Sequence, residues 1–378
     1  MVSLGFSVGH DKGCVIIVDG EVKVGISQER LTRIKHDGSY STILPVEAID
    51  YCLEYLGLTY SDVDRWTFNT VEEDHVVADS FEKTFGIDKG RLHFIPHHLA
   101  HAYSTFYSSD FSESAVVVAD AMGSVLNKGS NALKWFGGEW PGTEEYEYAE
   151  GITIYKFSSE GDNEVYKKWI KYPMMLDGES ETSIGEQYGK GSLQLVYDPK
   201  TNSWPAGKLM GLASYADHEW VSQIPSHTRL SEDDIFIPSI KIMPEVDYKS
   251  DFYSKANVAG LYQRDQEQNS LHLVEMAKKL TGSNNICVAG GSFLNCNTNE
   301  MIIKSGLYEG QYFVPCSDDS GIPLGCAWWG YTRSEKVNSR KYLNPYTGKS
   351  YSDLQIKDAI DKASAEFELS GLIDVNLY

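Results

Sequence analysis

Two uninterrupted apolar runs, residues 115–119 and 286–289, stop abruptly, the first at Asp120 and the second at Gly290-Gly291. Runs this short and this apolar suit strands covered on both faces, as in a sheet flanked by helices. The segments around them alternate in type. Residues 4–8, 14–18 and 21–27 read as strands, with Asp19-Gly20 as the turn of a hairpin. Pro45 and Pro96 each open a helix, the first carrying Val46, Ile49, Leu53 and Leu56 on one face and stopping near Gly57. Residues 66–69, 93–95 and 312–315 are further strands, 252–280 and 325–329 helical. Residues 127–204, rich in Gly, Tyr, Trp and acidic side chains, lack periodicity and are expected to form hairpins and long loops. A last helix, capped by Ser352 or Asp353, would carry Ile356, Ala359, Ile360, Ala363 and Phe367 on one face. The class is α/β, and 378 residues suffice for two lobes.

Charge narrows the partners. The 54 acidic and 33 basic side chains give a net charge of −21, which repels a duplex phosphate backbone but leaves a single nucleotide open. No apolar run approaches the roughly 20 residues that span a bilayer, and the N-terminus lacks signal-peptide features. The six cysteines form no C-x-x-C pair, so the expectation is a cytoplasmic protein with reduced thiols and no membrane partner.

Pro96-His97-His98-Leu99-Ala100-His101 is the sharpest chemical signal. On a helix His97 and His101 leave the same face at i and i+4, a spacing that lets two imidazoles share one metal ion. Position 98 is His rather than the Glu a metalloprotease would use, which disfavours protease chemistry. Alone, such a pair is more often local packing. Asp120 and the Asp318-Asp319 pair also follow strand ends, where side chains project into the ligand crevice of an α/β sheet. Two histidines with one or two aspartates suit Fe(II), Mn(II) or Zn(II).

Three glycine-punctuated stretches suit a nucleotide or, equally, tight turns: residues 185–192, 206–213 with Lys208 and Gly211, and 288–295 with Gly290, Gly291 and Asn295. Residues 29–36, containing Arg33, Lys35 and His36, form the densest basic patch and would either meet an anion or form a solvated face.

In order, these motifs are more specific than any one of them. Gly9-His10-Asp11, Glu29-Arg30-x-Thr32-Arg33-x-Lys35-His36, His97-His98-x-x-His101, Asp120, Gly207-Lys208-x-Met210-Gly211-Leu212-Ala213, Ala289-Gly290-Gly291 with Leu294-Asn295, and Asp319 with Leu324-Gly325 form one series. The series resembles the N-terminal domain of the NodU/CmcH O-carbamoyltransferases, from about residue 5 to about residue 355. The resemblance implies a duplicated actin/hexokinase-like ATPase (ASKHA) fold with a nucleotide cleft between two lobes. The lobes would span residues 1–114 and, with inserted loops and hairpins, 115–335; residues 336–378 would supply a helix packed on the first lobe and a linker onward.

The implied reaction passes a carbamoyl group from carbamoyl-adenylate, made from carbamoyl phosphate and ATP, to a hydroxyl of a sugar, nucleoside or antibiotic-like acceptor. A TsaD-like transfer of threonylcarbamoyl to tRNA and a non-catalytic nucleotide-binding subunit are the alternatives. The resemblance makes His97, His101, Asp120 and Asp319 the ligands of a divalent metal, Fe2+ before Mn2+ or Zn2+. His10 becomes the candidate base, with Lys35 and Arg33 as catalytic partners. Asp11, Gly123, Lys208, Gly211, Gly290, Gly291 and Asn295 become nucleotide contacts.

Three departures stand out. Asp120-Ala121-Met122-Gly123-Ser124 replaces an Asp-Gly-x-Gly-Glu loop, Pro323 lies at a nucleotide-facing helix start, and no Arg-Ala-Leu-Gly-Asn-Arg-Ser-type motif of a YrdC-like C-terminal domain occurs. A fragment, a subunit working with a YrdC-like partner, or a protein performing only the second half-reaction is therefore expected.

Overall fold

The hairpin turn shows why the first sheet starts as it does: Asp19 and Gly20 both take positive φ, 51° and 79°, the geometry of a two-residue turn between right-twisted strands. In this computed structural model, which describes residues 1–38, 43–71, 74–137, 147–172, 180–197, 204–240, 251–337 and 342–366, β1 (Val2–Ser7), β2 (Gly13–Val18) and β3 (Glu21–Ser27) form an antiparallel meander. After a single turn, α1 (Glu29–Thr32), comes α2 (Val46–Leu56), ended by Gly57 at φ 66°. β4 (Arg65–Asn69) returns parallel to β1, α3 (Asp74–Phe85) follows, and β5 (Leu92–Phe94) pairs parallel with β4. The sheet order is β3-β2-β1-β4-β5.

α4 (His97–Phe106) then crosses to the second lobe, built on β6 (Ser114–Ala119), β7 (Val125–Leu126), the short α5 (Asn131–Trp135) and the long hairpin β8 (Glu147–Ser158) and β9 (Gly161–Tyr172). Three helices follow, α6 (Ile184–Val196), α7 (Ala206–Ala213) and α8 (His218–Gln223), then a small hairpin, β10 (Arg229–Ser231) and β11 (Asp234–Phe236). α9 (Phe252–Thr281) leads into β12 (Asn285–Ala289), α10 (Cys296–Ser305), β13 (Gly310–Phe313) and α11 (Ile322–Thr332). The order of this sheet is β13-β12-β6-β8-β7, with β9 on β8; β6, β12 and β13 are parallel. No described helix is long and apolar enough to cross a membrane.

The layers explain the burial. α2 and α3 cover one face of the first sheet through Leu4, Phe6, Ile49, Trp66 and Phe81. α9 covers the far face of the second sheet through Leu273, Val274 and Ala277 against Val117 and Ala119. Between the sheets lie α4 and α11, whose Leu99, Tyr103, Phe106, Leu324 and Trp328 share a core with Ile17 of one sheet and Val116 and Val118 of the other. Each such side chain contributes roughly 1.5–3 kcal/mol. All ten residues of α4 are buried. Two glycines set the spacing: a Cβ on Gly5 would lie 2.2 Å from the Pro323 carbonyl oxygen, and one on Gly325 would lie 1.8 Å from that of Ala100. The backbone of α11 therefore rides directly on β1 and α4.

The expectation of loops across residues 127–204 is corrected at α6. Its glycines punctuate nothing. Cβ atoms on Gly189 and Gly191 would strike the rings of Trp204 and Tyr262, so these positions let aromatics lie against a helix. Likewise Gly207 and Gly211 lie within α7 rather than in a turn. The final helix, α12 (Asp353–Glu366), was expected to pack on the first lobe but leaves Leu354 and Ile360 exposed; Phe367 lies outside the described residues. What returns to that lobe is residues 342–349. Gly25 N donates to Thr347 O at 3.0 Å, and Thr347 Oγ1 to Gly25 O at 3.2 Å, along the outer edge of β3.

Candidate metal centre and its surroundings

Three elements deliver one four-residue cluster. The first two turns of α4 carry His97 and His101, the tip of β6 carries Asp120, and the turn before α11 carries Asp319. One ligand atom from each lies within 4.8 Å of all the others. His97 Nε2 is 3.3 Å from Asp120 Oδ2 and 3.2 Å from Asp319 Oδ1; His101 Nε2 is 3.1 and 3.4 Å from the same two atoms. The two Nε2 atoms are 3.2 Å apart. Two ring nitrogens and two carboxylate oxygens facing one point are a donor set for a mid-row divalent metal.

The supporting contacts aim these atoms. Asp120 Oδ1 accepts from Ala121 N at 2.7 Å and Gly291 N at 3.1 Å, which turns Oδ2 toward the histidines. His97 Nδ1 meets Asn69 Oδ1 at 2.8 Å, while Asn69 Nδ2 donates to Ile95 O at 2.8 Å. That fixes the amide with its oxygen toward the ring, so Nδ1 carries a proton and Nε2 is the atom aimed at the cluster. Ser124 Oγ accepts from His97 N at 2.9 Å and caps the start of α4.

Electrostatics follow the geometry. Burial opposes charge on His97, yet Asp319 and Asp120 outweigh it and lift the imidazole to about 10; His101 is also raised. Burial and mutual repulsion push Asp120 and Asp319 up, but the histidines pull both below the ordinary carboxylate range. Each side of the cluster is thus held in its charged form by the other.

A second group adjoins it. His10 Nε2 is 3.3 Å from Asp319 Oδ2, and His10 Nδ1 is 2.7 Å from Asp11 Oδ2. Against burial, Asp11 and Asp319 raise His10 to about 9. The other Asp11 oxygen meets His36 Nδ1 at 2.9 Å. Of the basic patch it is His36 that turns inward. Arg33 and Lys35, expected as catalytic partners, have exposed side chains.

The expected nucleotide contacts separate into two groups. Lys208 and Gly211 are exposed on α7, and a Cβ on Gly211 would meet nothing within 4 Å. The remainder are engaged by the protein itself. Gly290, at φ 99°, lies where a Cβ would be 2.3 Å from Ala119 O, and Gly291 orients Asp120. Asn295 caps α10 through Thr298 N and pairs with Gln263. Gly123 gives its N–H to Glu150 O and packs against the His98 and Glu150 side chains.

Glu150, from β8, lies buried against the Gly123 loop. Its Oε2 accepts from His98 N and Ser124 N, while Oε1 pairs with Lys167 at 2.8 Å. Burial disfavours its charge, but Lys167 lowers it to about 2. Sequence reasoning missed Asn69, Ser124 and Glu150. Asn69 carried the same signal as Asp120, a polar residue closing an apolar strand. Glu150, inside a β8 run with no such break, carried none.

Comparison with known proteins settles the lineage. The family model described as the carbamoyltransferase N-terminus matches residues 3–85 and 76–328. The chain belongs to this family. Nodulation protein NolNO of Sinorhizobium fredii is 26% identical over 84% of this chain and 46% of its own length. The 3'-hydroxymethylcephem-O-carbamoyltransferase of Streptomyces clavuligerus is 29% identical over 34% of this chain and 25% of its own. The chain spans about half the length of the curated relatives it matches. Among solved structures, HypF of T. kodakarensis superposes with a TM-score of 0.55 at 13% identity, covering 90% of this chain and 49% of that one. The carbamoyltransferase N-terminal chain thus has the two-lobed actin/hexokinase-like fold.

Proposed function

We propose that this chain carries the transfer half of an O-carbamoyltransferase, moving a carbamoyl group from carbamoyl-adenylate to a hydroxyl of a small-molecule acceptor. The observation that carries this reading is the convergence of His97, His101, Asp120 and Asp319, with His10 one contact away. In the transfer, the acceptor oxygen bonds to the carbamoyl carbon. The anhydride C–O bond breaks, its electron pair leaves with AMP, and the hydroxyl proton passes to His10 Nε2, which accepts it only where a cation held by Asp319 would offset the carboxylate charge that lifts His10 to about 9. A mixed anhydride has a good leaving group, so alignment and charge stabilisation carry most of the barrier reduction.

The paired Nε2 atoms, each with a carboxylate oxygen within 3.3 Å, fit a cation better than they fit one another. His97, His101, Asp120 and Asp319 would hold Fe2+, Mn2+ or Zn2+. A bound ion supplies positive charge beside the departing phosphate. Carbamoyl-adenylate would form from carbamoyl phosphate and ATP on a YrdC-like domain or partner subunit. The exposed face of α7, with Lys208 and Gly211, is where the nucleotide would rest against the second lobe.

The test offers the full chain synthetic carbamoyl-adenylate with a panel of sugars and nucleosides. We expect metal-dependent AMP release that collapses in His97→Ala. If the chain retains no divalent ion and releases AMP no faster than buffer, the reading fails.

A further inference from the structure

Residues 33–37 concentrate backbone strain. Arg33, His36 and Asp37 have φ of 62°, 56° and 38°, three of the four non-glycine residues with positive φ among those described. Such conformations are unfavourable for residues that carry a Cβ and persist only where surroundings over-determine them. Here the surroundings are visible. His36 N donates to Glu29 Oε2 at 3.0 Å, and buried Lys12 reaches Asp37 O at 3.2 Å and Asp37 Oδ2 at 3.4 Å. Lys12 is itself anchored, its carbonyl accepting from Gln28 N at 2.8 Å.

The strained turn delivers one side chain. His36 lies edge-on to His10, ring centroids 5.9 Å apart, with the Asp11 carboxylate between them and one oxygen for each ring. Because both oxygens are engaged, the carboxylate cannot turn about its own axis without giving up a partner. We propose that His36 is a positioning residue: through Asp11 it locks the His10 ring so that Nδ1 holds its proton and Nε2 faces Asp319 and the four-residue cluster. This rests on the role given above to His10, and no other described residue places a side chain on that Asp11 oxygen.

Two substitutions separate the hydrogen bond from the backbone. His36→Asn keeps an N–H near the Nδ1 position and tolerates positive φ; His36→Gly relieves the strain and removes the donor. AMP release from synthetic carbamoyl-adenylate is expected to fall about 10- to 100-fold in His36→Gly and to recover most of that loss in His36→Asn. The melting temperature of His36→Gly should not fall, since its backbone is relieved.

In the Zn2+-loaded chain with 15N-labelled histidine, His10 should show one tautomer, protonated at Nδ1, in wild type and His36→Asn, and a mixture in His36→Gly. An unchanged His10 spectrum in His36→Gly, or equal rates in the two variants, overturns the proposal. So does the loss in His36→Gly of a second equivalent of metal present in wild type, which would make the triad a cation site. Wild type that releases no AMP sinks the transferase reading instead, and the spectra still judge His36.

Discussion

The two histidine-bearing segments reach one centre by opposite means. α4 is regular, wholly buried and clamped between two sheets, so the i, i+4 spacing alone brings His97 and His101 together. The 33–37 segment is half-exposed and irregular, and a run of positive φ turns His36 inward. Precision in the first comes from packing shared by both lobes. In the second it comes from a few polar contacts working against the local backbone. The lesson is that metal-type ligands here are placed by the core, and the adjoining acid–base group by its rim.

That contrast can be broken most severely at Gly325. Any side chain there must separate α11 from the Ala100 carbonyl, so Gly325→Val should cost about 3 kcal/mol or more and remove the Asp319 alignment, read by chemical denaturation and metal content. Glu150→Gln removes one of the two carboxylates on buried Lys167, leaving Glu164 at 2.7 Å, and should cost about 1.5–3 kcal/mol by the same measurement. The wild-type carboxyl also sets a pH window. Its folded value, about 2, lies below the 4.5 of an ordinary glutamate, so its stabilisation is complete above pH 4.5 and is lost as pH falls toward 2. Denaturation midpoints of wild type and Glu150→Gln should converge across that interval.

Asn69→Ala sharpens the core side of the comparison. It frees the His97 ring without touching a ligand, and metal affinity measured by calorimetry should drop about 10- to 100-fold. The rim side predicts the smallest effect, with opposite sign. Arg33 is an exposed αL residue ending α1, so Arg33→Gly should stabilise by about 0.4–1 kcal/mol in thermal unfolding.

How much could be read in advance follows the same division. The hairpin at Asp19-Gly20, the helix after Pro96 and the long helix 252–281 were legible, because turn chemistry and helical periodicity act within a few residues. So was the gathering of strand-tip carboxylates with His97 and His101. α6 was not, because its glycines answer to Trp204 and Tyr262, which meet it only in the folded chain. The inward turn of His36 was hidden for a related reason. Which member of a basic run faces the interior depends on Glu29, Lys12 and Asp11, and no periodicity encodes that.

The strip of chain at 342–349 has a bearing on handling the protein. By lying along β3 it occupies backbone groups that would otherwise offer a template for strand addition by a neighbouring molecule. Trimming the chain ahead of Tyr342 would uncover that seam, and the expected result is concentration-dependent self-association in light scattering, with the buried histidine cluster left intact.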